Sequence, residues 1–374
     1  MASVCTSPDG VTWTRHGVPA GADSLFLLYK VAFGDGLWVA LGSQDSGFSG
    51  MTAVSSDGGS TWTGGFMNHW NASPFGNYVS ADIAYGDGVF VVVGNASNTG
   101  DWPLVQTSPD GITWTDRSSP MDTFALGSPP GFAWAIDWNG SEFVVVGQGG
   151  THSGFFSADV QAMSSPDGVT WTSNGHGFPW GDAADKIGEA RGGLLWSDLL
   201  GGWVLVNGNA EGYGNTASSA DGAAWSVVAA LPDISFPIAS PSSLCGLAES
   251  SDFIVAAVPP SIDNTPYPDS VLIGSANGAV WSILTTPWNV DGDIATFKGV
   301  AYGDEKFVTI GNDPSGDTTK YLRSVDDGTT WTDEAFPTGF SAFGIRYADG
   351  QFMAVGQFEY STATGWHVGS IAKQ

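Results

Sequence analysis

The chain has 374 residues, of which 13% are aromatic and only 13% charged, and its formal net charge at pH 7 is −27. The aromatic share excludes a disordered chain despite 53 glycines and 20 prolines, and the scarcity of charge excludes coiled coils and long surface helices. A surface this acidic repels phosphate backbones, which excludes nucleic acid as a partner.

Two cysteines, Cys5 and Cys245, cannot build a disulfide framework, and neither has neighbours at zinc-ligand spacing. The first residues, Met1 to Pro8, have neither the basic region nor the apolar stretch of a secretory signal. No window approaches 18 apolar residues, so no membrane insertion is expected. The chain is therefore expected to stay where it is made unless an assembly or lysis releases it.

One motif recurs seven times along the chain. It opens as Ser7-Pro8-Asp9-Gly10-Val11-Thr12-Trp13, then Ser55-Ser56-Asp57-Gly58-Gly59-Ser60-Thr61-Trp62, then Ser108-Pro109-Asp110-Gly111-Ile112-Thr113-Trp114. The fourth and fifth copies are Ser165-Pro166-Asp167-Gly168-Val169-Thr170-Trp171 and Ser219-Ala220-Asp221-Gly222-Ala223-Ala224-Trp225. Ser275-Ala276-Asn277-Gly278-Ala279-Val280-Trp281 is the most degenerate, and Ser324-Val325-Asp326-Asp327-Gly328-Thr329-Thr330-Trp331 is the last. The tryptophans are 49, 52, 57, 54, 56 and 50 residues apart, and joining the two termini restores a step of 56. A period that closes on itself points to a ring.

Between successive boxes lies a second motif, such as Val31 to Gly42 or Ile83 to Gly94, with related forms at 133–147, 194–208, 245–258, 300–311 and 345–356. Each reads as a short apolar strand, a tight Asp-Gly or Asn-Gly turn, and a second apolar strand. The box then links a third strand to a fourth. Four strands per period make a β-propeller blade. The sequence thus predicts an all-β, seven-bladed β-propeller with four-stranded antiparallel blades, closed by N- and C-terminal strands sharing the last blade. The whole chain, 1–374, is read as one propeller with blades at approximately 29–64, 81–116, 132–173, 192–227, 244–283, 297–333, and 342–374 joined with 1–16. The last blade has residues to spare, so Trp366 to Ala372 is expected to form a surplus strand, an extra edge or a docking tail.

The box resembles the Asp-box, or bacterial neuraminidase repeat, of sialidase-like propellers, whose usual form is Ser-x-Asp-x-Gly-x-Thr-Trp. Residues 55–62 and 324–331 have that length, whereas the Ser-Pro-Asp-Gly-x-Thr-Trp copies are one residue shorter. The resemblance implies that the box is a structural turn away from any active site. The residues agree: Asp9, Asp57, Asp110, Asp167, Asp221, Asn277 and Asp326 satisfy turn amides, Gly supplies the unusual φ, and Trp packs between blades.

Both turn types on one face are minimal. The long connections, at 43–50, 64–80, 95–104, 116–131, 148–160, 173–191, 209–215, 259–270, 283–297 and 312–320, all belong to the opposite face. Variable loops on a rigid scaffold carry binding. Their ligand-binding candidates are His69, Trp70, Trp102, His176, Trp180, Tyr213 and Trp288. A Trp beside Asn, His or Asp suits a sugar, whose apolar face stacks on the ring while its hydroxyls find polar partners.

The same resemblance implies what catalysis would need: three arginines around a carboxylate, a Tyr nucleophile backed by Glu, and an Asp acid/base. The five arginines are Arg15, Arg117, Arg191, Arg323 and Arg346, of which only Arg191 and Arg346 fall at or near innermost strands. The Phe-Arg-Ile-Pro motif of the first sialidase arginine is absent. Asp182, Asp185, Glu189 and Glu211 offer carboxylate pairs for another glycosidase. No phosphate loop, dinucleotide fingerprint or metalloprotease motif occurs. No cofactor is expected. Calcium is the one metal the loops suit, at Asp291 and Asp293 or at Asp313 and Asp317.

These features lead to a non-enzymatic virion propeller on a phage tail or capsid surface. It would bind a host-surface glycan or a neighbouring virion protein, as a homo-oligomer or on the particle, folding in the host cytoplasm and leaving by lysis. The short box also resembles sialidase-like propellers of phage and bacterial proteins. The alternatives are an extracellular sialidase-like or other glycoside hydrolase, and an assembly factor like the photosystem II propeller. That last family presents a basic arginine patch, against which five scattered arginines argue.

Overall fold

The computed structural model describes residues 2–18, 25–44, 50–66, 80–96, 102–117, 132–149, 159–174, 193–208, 214–230, 246–258, 271–288, 296–313 and 319–358. These form 28 strands in seven four-stranded antiparallel sheets, with no helix among the described residues. The chain begins inside the last sheet with β1 (Ala2–Ser7) and β2 (Thr14–Gly17). Blade 1 follows as β3 (Leu25–Gly34), β4 (Leu37–Gln44), β5 (Gly50–Ser55) and β6 (Thr63–Phe66), and blade 2 as β7 (Ser80–Gly86), β8 (Val89–Ala96), β9 (Trp102–Ser108) and β10 (Thr115–Asp116). Blade 3 is β11 (Phe132–Trp138), β12 (Phe143–Gly149), β13 (Asp159–Ser165) and β14 (Thr172–Ser173). Blade 4 is β15 (Gly193–Ser197), β16 (Gly202–Gly208), β17 (Gly214–Ser219) and β18 (Ser226–Ala230), and blade 5 is β19 (Gly246–Glu249), β20 (Ile254–Val258), β21 (Val271–Ser275) and β22 (Ser282–Ile283). Blade 6 is β23 (Thr296–Gly303), β24 (Lys306–Asn312), β25 (Lys320–Ser324) and β26 (Thr332–Ala335). Blade 7 opens with β27 (Phe340–Ala348) and β28 (Gln351–Phe358), then takes in β1 and β2.

The termini therefore share a blade. β1 lies between β28 and β2, every one of its residues buried, and runs from Ala2 opposite Gln357 to Ser7 opposite Phe352. The innermost strands β3, β7, β11, β15, β19, β23 and β27 each adjoin the next, and β27 returns to β3, so the ring is closed. This is the seven-bladed, all-β propeller that the repeats predict.

Local chemistry explains the blades. Asp35-Gly36, Asp87-Gly88 and Asp349-Gly350 all have positive φ at both residues, the left-handed pair that a two-residue hairpin turn requires. In each box the Asp organises its own turn: Asp9 Oδ1 accepts from the amides of Val11 (2.9 Å) and Thr12 (2.7 Å) and from Ser7 Oγ (3.0 Å). In the longer boxes the bond moves out one residue, so Asp57 takes the Thr61 amide (2.8 Å) and hydroxyl (2.6 Å). Asn277 does the same work through Oδ1, accepting from Ala279 and Val280. Six box tryptophans donate Nε1–H to the carbonyl of their own box glycine.

The core is seven separate slabs, one between each pair of neighbouring blades, rather than one central mass. The boxes clasp these interfaces. Thr52 of blade 1 donates to the Gly111 carbonyl of blade 2 (2.7 Å), and Gln351 of blade 7 donates to Gly58 of blade 1 (3.2 Å). Because every interface is filled by side chains from two blades, the axis is left as a channel.

Candidate functional site: the central channel

The channel has a volume of about 550 Å³ and takes wall residues from all seven inner strands. Its mouth is built by an irregularity repeated around the ring. In blades 1, 2, 3, 6 and 7 the inner strand skips a residue in its pairing with the second strand, and the extra residues are Tyr29, Ala81, Trp134, Lys298 and Phe343. A bulge of this kind re-aims a side chain that regular pairing would lock between sheets. Four of the five line the channel, beside Lys30 and Asp82. All stand near the starts of the inner strands, at the end of the ring that carries the connections between blades.

Charge is concentrated here. Of the chain's 11 lysines and arginines, Lys30, Lys298 and Arg346 line the channel. Lys30 Nζ pairs with Asp82 across the boundary of blades 1 and 2 (3.4 Å), and Lys298 Nζ lies 4.2 Å from the centre of the Phe343 ring. Deeper in, Asp137 accepts the Trp196 amide of blade 4 (2.9 Å). Burial raises its pKa, opposed by the positive charge of Arg346. Among the described residues the Arg346 guanidinium has no hydrogen bond or ion pair of its own. Its planar fork is therefore free to take a bidentate oxyanion.

The channel carboxylates are differently placed. Asp82 accepts the Ile136 amide (3.4 Å), Asp137 that of Trp196, and Glu249 Oε1 that of Asp198 (2.7 Å). Each holds a backbone amide of an adjacent blade. The remaining described arginines lie elsewhere: Arg15 covers the Phe358 ring (4.1 Å), Arg117 donates to Thr107 (3.2 Å), and Arg323 pairs with Glu334 (2.7 Å). A three-arginine carboxylate clamp is thus not assembled by the described residues.

Of the loop residues expected to bind ligand, His69, Trp70, His176, Trp180 and Tyr213 lie outside the described residues, as do Arg191, the acidic residues at 182, 185, 189 and 211, and the segment 366–372. Trp102 opens β9 opposite Ala96. Trp288 requires a correction. It is 1% exposed and stacks on Phe297 of blade 6, with centroids 5.4 Å apart and planes 17° apart, so it fills the slab between blades 5 and 6. The seven box residues are the turn hubs described above. Of the calcium candidates, Asp291, Asp293 and Asp317 lie outside the described residues. Asp313 is buried, with its Oδ2 ion-paired to Lys320 Nζ (2.9 Å), an ammonium where the calcium expectation placed a metal. No group of three or more metal-ligating side chains occurs among the described residues.

The channel residues escape sequence reasoning because a bulge is a property of pairing between strands. The available signal is Lys298-Gly299 and Phe343-Gly344, a large residue before a glycine inside an otherwise apolar strand.

No protein-family model matches the sequence, and no curated protein matches it. Solved structures do resemble the fold. YCF48 bound to D1 peptide aligns at a TM-score of 0.55 and 15% identity, over 90% of each chain. YCF48 from Cyanidioschyzon merolae aligns at 0.53 and 16%, over 90% of this chain and 97% of that one. A Trypanosoma rangeli sialidase in complex with 2,3-difluorosialic acid aligns at 0.52 and 12%, over 92% of this chain but 55% of the sialidase. At these identities the likeness is one of fold, and the chain has the sialidase-like propeller fold.

Proposed function

We propose that the chain is a non-catalytic, carbohydrate-binding propeller of the short Asp-box type, and that its ligand enters the channel at the bulged ends of the inner strands. The observation that carries this reading is the convergence of Lys30, Lys298 and Arg346 on one cavity in a protein of net charge −27. Cations are scarce in this chain, and an acidic surface would repel an anionic ligand except where they gather. Tyr29 and Phe343 beside them offer ring faces to a pyranose, so the fitting ligand is an acidic glycan. The setting we propose is the tail or capsid surface of a phage, where binding without turnover attaches a particle to its host. Carboxylates already engaged with neighbouring blades support binding over hydrolysis.

The test is a glycan array containing acidic and neutral members, with terminal sugars quantified after incubation. Retention on acidic glycans left intact is the expected result, and Arg346→Gln should abolish it. Release of a terminal sugar would replace this reading with a glycoside hydrolase, and a blank array would remove the glycan.

A further inference from the structure

The opposite face, where the hairpin turns and boxes lie, carries a feature that folding does not require. In five boxes a threonine precedes the tryptophan, and in three its hydroxyl donates to the box Asp: Thr61, Thr170 and Thr330. Blade 5 has Val280 there. It forfeits such a hydrogen bond and stands 67% exposed, the most exposed of the large apolar side chains described. It is not isolated. Leu200, from the hairpin turn of blade 4, lies over Gly278 so closely that a Cβ there would stand 2.5 Å from its Cδ1. Leu284, next to exposed Ile283, approaches Gly328 in the box of blade 6, where Val325 is 59% exposed. Leu200, Val280, Ile283 and Val325 thus mark an apolar track across three consecutive blades. Contiguous apolar surface of this kind marks an interaction site.

The rim of the track identifies its partner. Asp252, Glu305 and Asp327, from blades 5 and 6, lie close enough together to act jointly on the Tyr302 hydroxyl, and Asp198 flanks Leu200 in the turn of blade 4. The cation described in these turns, Lys306, is engaged with Asp304. An apolar centre with an acidic rim is complementary to apolar side chains flanked by lysine or arginine. A second copy of this chain would bring acidic rim against acidic rim. We propose that the turn face of blades 4 to 6 is a docking surface for a basic protein partner, leaving the channel mouth at the other end of the ring unobstructed. This assignment does not depend on the glycan reading.

Two peptides of equal positive charge serve as probes, one of leucine and lysine and one of glycine and lysine, titrated calorimetrically at roughly physiological salt, where long-range attraction is screened. The leucine peptide should bind the wild type at least tenfold more tightly than the glycine peptide. Val280→Asp should erase that difference. Ile112→Asp, an equivalent charge on the exposed box residue of blade 2, should leave it within twofold. Val325→Asp repeats the test at a second position should Val280→Asp fail to fold. Equal binding of both peptides, or equal effects of the blade 2 and blade 5 substitutions, would overturn the proposal. Self-association of the wild type that Val280→Asp abolishes would also overturn it, by giving the face to a second copy.

Discussion

The ring of Tyr85 occupies the space where Gly34 would carry a side chain: a Cβ on Gly34 would stand 2.0 Å from the ring. The same relationship joins Trp138 to Gly86 and Tyr347 to Gly303, so an aromatic near the end of an inner strand is seated on the glycine of the blade before it. Gly34→Ala must displace the ring and should destabilise the protein by about 1–3 kcal/mol, the usual range for overpacking. Gly17→Ala, which meets nothing within 4 Å, is the control. Urea midpoints of the two variants separate close packing from a general effect of losing glycine.

The box carboxylates act as acceptors, so charge should matter less than oxygen. Asp326→Ala removes the acceptor for the Thr330 amide and hydroxyl and should cost about 1 kcal/mol, by analogy with the loss of a capping side chain. Asp326→Asn should cost clearly less, because Asn277 already performs this role in blade 5. Equal losses in chemical denaturation would show that the charge itself is required.

Two boxes carry strongly acidic carboxyls. The Thr12 and Val11 amides lower the pKa of Asp9 to about 2, and the Thr61 hydroxyl and amide lower that of Asp57 to about 2. An unfolded Asp titrates near ~3.9, so between these values the unfolded chain binds more protons than the folded one. Stability is therefore complete above about pH 4 and falls as the pH drops towards 2. Denaturant midpoints measured through that window should show the loss, and Asp9→Asn with Asp57→Asn should flatten it.

Arg346 is a binding residue without a structural partner. Arg346→Gln should leave the melting temperature close to that of the wild type while reducing retention on acidic glycans tenfold or more. Arg346→Lys should recover only part of the binding, because an ammonium cannot reproduce the two-pronged contact. A large fall in thermal stability in either variant would instead make Arg346 a partner of Asp137 in holding the ring.

The number of blades and the shared last blade are legible because Asp-Gly turns and Asp-centred boxes are local chemistry: each is specified by consecutive residues and appears in any alignment of the chain with itself. The channel wall is not legible in this way. Lys298 looks like one more strand residue until its pairing partner is known to skip it, and Arg346 joins Asp137 only because blades 7 and 3 face a common axis. Trp288 misleads for a related reason. Flanked by Pro287 and Asn289, it has the surroundings of a loop, yet Phe297 of the following blade provides a surface to stack on, and burial outweighs the polar neighbourhood.

The seam of blade 7 also has a mechanical consequence. Because β1 and β28 are antiparallel and Ala2 lies opposite Gln357, a load applied between residues 2 and 358 pulls at one end of the ladder. Its hydrogen bonds, which run across the strands, are then stretched in succession rather than together. Tension along that line peels the seam open from Ala2 towards Ser7, whereas a load spread around the rim is shared by seven interfaces. The direction of pull, more than its size, decides whether the ring holds.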